Sequence, residues 1–132
     1  MEMNWPVFMY SHKDTSFCSI DRNQVWTRRA LKSASFDVFF LDSMGKHFAF
    51  SAIKEKKMLF PTPLDLIDFN PKYKVKLSPL LKSELDLESF KKHILGVLQS
   101  CRYSLESSGD PNEIMADVKK ANSYREIIEM FL

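Results

Sequence analysis

Glycine is nearly missing from this sequence, with three residues in 132. So few exclude a glycine-rich phosphate loop and a flexible glycine linker. Cysteine is rarer still. Cys18 and Cys101 have no metal-type spacing, and they are expected as free thiols in a reducing compartment. No apolar run approaches the length that spans a bilayer. The opening MEMNWPVFMYSHKDT lacks the basic and apolar regions of a signal peptide. A cytoplasmic protein without membrane association is the expectation. Neither sign of charge dominates: 19 Lys and Arg face 17 Asp and Glu, a formal +2 that implies no nucleic-acid partner by itself.

Apolar surface is what the chain does have. Eleven Phe, four Tyr and two Trp, within 45% hydrophobic residues, are enough to offset chain entropy in one core. Residues 1–132 are therefore read as a single domain. Charge is unevenly spread. Residues 46–82 hold eight lysines against Glu55, Asp65 and Asp68, a net +5, whereas residues 83–132 come to −3. The basic middle and acidic end are consistent with plain solvated faces, and also with a surface that selects a partner.

The pattern of elements changes along the chain. WPVFMY (residues 5–10) is β-rich, SHKDTS reads as a turn, and FCSI as a second short strand. DRNQVWTRRALKSAS admits two readings: a helix capped by Asp21 or Asn23, or a strand through Val-Trp-Thr. FDVFFLDSMGKHFAFSAIKEKKM reads as a hairpin near the centre of a sheet, apolar on both faces, with Gly45 in the turn. LFPTPLDLIDFNPKY is a proline-rich connector with one helical turn at 64–69. YKVKLSPLL returns to alternation and carries a lysine face suited to a sheet edge.

After residue 83 the period becomes helical. Asp86 can cap a helix whose apolar stripe is Leu87, Phe90, Ile94, Val97, Leu98, Cys101 and Leu105, ended by Gly109. DPNE sets Asp110 as N-cap, Pro111 at the first helical position and Glu113 in a capping-box place; SYRE repeats the box with Ser123 and Glu126. The predicted fold is α+β: an antiparallel sheet of four to five strands, with residues 1–82 mainly β. A C-terminal helical segment, residues 83–132, packs on one face.

No chemistry stands out. His12, His47 and His93 fall in a turn, a strand and a helix, and no HExxH or CxxC links them, so no metal, cofactor or catalytic residue is assigned. A nucleophilic cysteine needs a base and an accessible electropositive setting, whereas Cys101 sits on an apolar stripe. PKYKVKL with KEKK could track phosphates, but Tyr73 falls on the face opposite Lys74 and Lys76, so direct nucleic-acid binding is not expected. The densest acids are Asp65 and Asp68 on the connector, and Glu84, Asp86 and Glu88 at a helix start. They suit a basic partner, and the latter three equally suit the helix dipole. Glu113, Asp117, Glu126 and Glu129 form a further acidic set on the later helices.

The layout, from MNWPVFMY through FDVFFLDSMGKHFAF to GDPNEIMADVKKANSYREIIEMFL, resembles small bacterial immunity proteins of contact-dependent growth inhibition and other polymorphic toxin systems. The resemblance implies a non-catalytic, cytosolic domain that binds one cognate toxin domain, often a nuclease, and blocks its active site or its access to substrate. It carries the role and no binding residues. The partner-binding candidates, Asp65, Asp68, Glu84, Asp86 and Glu88, come from charge alone. The alternative reading is a small adaptor or regulator that binds another protein or nucleic acid.

Overall fold

Strand Val7–Ser11 (β1) shows why a sheet with two buried faces forms here. Val7 and Met9 point to one side and Phe8 and Tyr10 to the other. The computed structural model describes residues 3–12, 15–21, 25–27, 38–58 and 72–132, with the backbone alone at 25–27, 51–58 and 72–78. The other strands are Ser16–Ile20 (β2), Val25–Thr27 (β3), Val38–Asp42 (β4), Lys46–Met58 (β5) and Lys72–Glu84 (β6). They form one antiparallel sheet in the order β2-β1-β4-β5-β6-β3. Five strands have five residues or more, and three-residue β3 adds a sixth. Residues 25–27 thus follow the strand reading. The connector's helical turn at 64–69 lies outside the described residues.

The β4–β5 hairpin is central, as its two-sided apolar pattern requires. Among the described residues β6 is an edge for part of its length, with β3 pairing at Lys72–Lys74 alone. Pro79, which has no N–H to give a ladder, is accommodated in this strand opposite Phe50. The register of β5 with β6 slips at His47/Phe48, Phe50/Ala52 and Ile53/Glu55.

Four helices follow: Leu87–Ser100 (α1), Arg102–Ser108 (α2), Pro111–Lys120 (α3) and Tyr124–Glu129 (α4). The caps sit where the sequence places them. Asp86 accepts from the Ser89 N–H at 2.7 Å, Asp110 from the Asn112 N–H at 2.9 Å and Ser123 from the Glu126 N–H at 3.1 Å. Glu126 reaches one residue further back than a standard box and accepts from the Asn122 N–H at 2.9 Å.

The stripe expected as one helix is two. The chain turns at Cys101 (φ −107°, ψ 51°), yet Cys101 and Leu105 both stay buried. Just before the turn the Ser100 hydroxyl donates to the Gly96 carbonyl at 3.0 Å. Such a back-bond bends helices, and Gly96 holds the ladder less firmly than a side-chain-bearing residue.

Helix residues Phe90, Ile94, Leu98, Val118, Ile127 and Ile128 cover the sheet face that carries Phe8, Tyr10 and Leu41. Each such fully buried side chain contributes roughly 1.5–3 kcal/mol of transfer free energy. Val7, Ile20, Val38, Phe40 and Phe48 form a second buried cluster on the other face, with Met3. Phe131 stacks edge-on against both Phe8 and Phe17, each at 5.4 Å, and its carbonyl accepts from the Ser19 N–H of edge strand β2 at 3.2 Å.

The β4–β5 turn joins these parts. Asp42 is fully buried. Its Oδ2 accepts from the backbone and side-chain N–H groups of Asn4, both at 3.0 Å. Its Oδ1 accepts from the N–H groups of Met44 at 3.0 Å and Lys46 at 2.9 Å. Ser43 ties the same N-terminal segment, donating from its N–H to the Asn4 carbonyl at 3.0 Å and from its hydroxyl to the Pro6 carbonyl at 2.6 Å. Gly45 adopts φ +82°, and a Cβ there would lie 2.6 Å from the Leu85 carbonyl oxygen and 2.7 Å from the Tyr124 ring. The Gly45 carbonyl accepts from the Leu85 N–H at 2.8 Å, and the Tyr124 hydroxyl donates to the Leu85 carbonyl at 2.8 Å.

Replacing Asp42→Ala leaves four N–H groups without their ionised acceptor, and it should lower the unfolding free energy in urea by at least about 3 kcal/mol. The cap change Asp110→Ala should lower it by about 1 kcal/mol. Equal losses for the two would show that the turn carboxylate is no more than another cap.

Candidate functional site

All three histidines of the chain meet at Tyr10. β1 carries Tyr10 to the helix-facing side of the sheet, two residues on from Phe8. His47 is the second residue of β5, and its partner across the turn is Leu41 on that same side. Helix α1 supplies His93, next to buried Ile94. The turn after β1 supplies His12.

The Tyr10 hydroxyl lies 2.9 Å from Nε2 of His47 and 2.7 Å from Nε2 of His93. The two imidazole centroids are 4.8 Å apart. His12 packs edge-on against Tyr10 at 5.3 Å, and Phe39 stacks on Tyr10 at 5.3 Å. Tyr10 is buried, His47 and His93 are half-buried, and His12 is exposed.

One hydroxyl proton cannot serve two acceptors. At most one imidazole accepts the phenol O–H, so at least one of the two neutral rings donates its Nε2–H to the phenol oxygen.

Electrostatics favours the neutral rings. His47 is lowered to about 4 by burial first, then by His93 and Lys82. His93 is lowered by burial and then by His12. Among the described residues no carboxylate offsets these effects. Lys82 owes its place to a bulge: His47 pairs with Ser83 and Phe48 with Leu81, which leaves Lys82 as the extra residue beside His47.

The sequence-based site residues lie elsewhere. Glu84, Asp86 and Glu88 are all exposed at the β6–α1 junction, alternating with half-buried Leu85 and Leu87. Asp86 has a second duty as the α1 cap, and its bonds with Ser89 hold its carboxyl below the ordinary value. Asp65 and Asp68 lie outside the described residues. Glu113, Asp117, Glu126 and Glu129 are exposed, with Glu129 paired to Arg125 at 2.7 Å.

Neither cysteine joins the histidines. Cys18 is paired with Met9, on the sheet side away from Tyr10. Cys101 is buried in the helix core, where burial raises its thiol above the ordinary value. Both are free thiols. Among the described residues no group of three or more His, Cys, Asp or Glu side chains could hold a metal ion, and no helix is long and apolar enough to cross a membrane.

Tyr10, His12, His47, His93 and Lys82 were not singled out as a site by sequence reasoning. The available signal was phase: His47 falls on the helix-facing side of its strand, and His93 beside the apolar stripe of its helix. No family model matches the chain, and no curated protein or solved structure matches it.

Unfolded histidine binds its proton near 6.5, whereas folded His47 resists protonation until about 4. Between these values the unfolded state binds more protons, so stability falls as pH falls. The contribution is fully present above 6.5 and lost by about 4. Urea denaturation from pH 7.5 to 4 should show a loss of about 2 kcal/mol from this group after allowing for its partial exposure. His47→Gln should flatten that slope, and an unchanged slope in the variant would assign the acid sensitivity elsewhere.

Proposed function

We propose that this protein neutralises a cognate bacterial toxin domain, a nuclease by preference, through stoichiometric binding that occludes the active site or its access to substrate. The observation that carries the reading is the rigid acidic ridge at the β6–α1 junction. Glu84, Asp86 and Glu88 point outward while the backbone between them is clamped on both sides. Leu85 gives its N–H to Gly45 and takes the Tyr124 hydroxyl on its carbonyl.

A ridge held in this way loses little conformational entropy on binding, which favours affinity. A nuclease concentrates positive charge around its substrate, so a fixed row of carboxylates would speed encounter and reject partners of the wrong sign. The Phe90–Tyr124 edge contact at 5.0 Å further braces the start of α1 against α4. The resemblance to immunity proteins points the same way.

The test is reconstitution with the toxin domain encoded beside this gene. A stable one-to-one complex that abolishes toxin activity is expected, and no complex at micromolar concentration ends the reading. Glu84→Lys with Glu88→Lys spares the Asp86 cap, so the fold should stay intact. Association should slow by about tenfold or more at low salt and recover part of the difference at high salt. An on-rate indifferent to both changes would move the interface off this ridge.

A further inference from the structure

We propose that Tyr10, His12, His47, His93 and Lys82 form a binding site for a phosphate-type oxyanion, free or carried as the monoester group of a small molecule. Four groups able to carry positive charge converge here from four parts of the chain. They are His12 from the turn after β1, His47 from β5, Lys82 from the β5–β6 bulge and His93 from α1. β4 contributes apolar Phe39, and β1 contributes the phenol of Tyr10.

Burial holds the His47 and His93 rings neutral, so an oxyanion would bind together with protons taken up on them. It would accept N–H bonds from imidazolium rings and from the Lys82 ammonium, each charge-assisted.

The hydrogen-bond network tolerates this change. When both imidazoles are protonated, the Tyr10 oxygen can accept an Nε2–H from each, because a phenol oxygen accepts as well as donates. The Nδ1–H of each ring is then a donor for the ligand. The exposed positions of His12 and Lys82 leave the cluster open at one side. Bulges recur beside binding sites because they re-aim a side chain, and this one sets Lys82 at His47.

The site is independent of the toxin reading and is tested on the full chain alone. Imidazole NMR signals of the three histidines are followed during titration with sodium phosphate, with ionic strength held constant by sodium chloride. Saturable shifts at millimolar phosphate are expected at pH 6. Binding that takes up a proton on each of the two half-buried rings should weaken by up to about a hundredfold per pH unit where both are linked, and sulfate, a dianion throughout, separates this linkage from titration of the phosphate itself. Adenosine monophosphate serves as the monoester arm. Binding of it in competition with phosphate assigns the site to a monoester, and its exclusion while phosphate binds assigns it to the free oxyanion.

His93→Gln should weaken binding by at least about tenfold. Lys82→Gln, an exposed change that leaves the core untouched, should weaken it severalfold if His93→Gln does not fold. Shifts that stay linear and match those from sodium chloride overturn the proposal, as does binding that is indifferent to both pH and Lys82→Gln.

Discussion

The Asp42 carboxylate is the point on which the rest of the structure is fastened. It is a buried charge, and a buried charge persists only where hydrogen bonds replace its water. Asn4 supplies two of them and the turn backbone supplies two more. The segment before β1, the end of β4 and the start of β5 thereby become one unit. Register follows, because a turn held in one geometry fixes which residues of β4 and β5 oppose each other. His47 faces Leu41, and hence the helices, for this reason.

From that turn the constraint passes to the helices through Gly45. Its carbonyl holds Leu85, Leu85 holds Tyr124, and the space a Cβ would need is already filled by both. The turn therefore serves the acidic ridge and the histidine cluster together. It stiffens the backbone between Glu84 and Asp86, and it sets the strand phase that delivers His47. The two candidate sites differ in sign, one row of carboxylates and one cluster of imidazoles with a lysine, so they suit different ligands.

Local chemistry was readable in the sequence and tertiary convergence was not. Asp86, Asp110 and Ser123 cap as their spacing predicts, because a cap is decided within four residues. The hairpin read as apolar on both faces does lie near the centre of the sheet. The break at Cys101 was hidden, since the apolar stripe runs through it unbroken. The histidine cluster was hidden for a different reason. Residues 10, 12, 47 and 93 become neighbours only once strand order and helix docking are known, and no spacing encodes that. The acidic residues were visible as charge, but not that Asp86 caps a helix while Glu84 and Glu88 flank it.

The strand order has a consequence for shape. β2 and β3 occupy opposite edges of the sheet, five strand spacings apart, which on a flat sheet is about 24 Å. Ile20 and Val25 end and begin those strands, and five residues of chain reach at most about 18 Å. The sheet cannot be flat. The three register slips between β5 and β6 are where a long ribbon can bend, since each extra residue sharpens coil and twist. A sheet that curls far enough to bring its margins within one short crossing acquires a hollow side, as an incompletely closed barrel does. Val7, Phe40 and Phe48, fully buried on the side away from the four helices, are the residues that such a hollow would enclose.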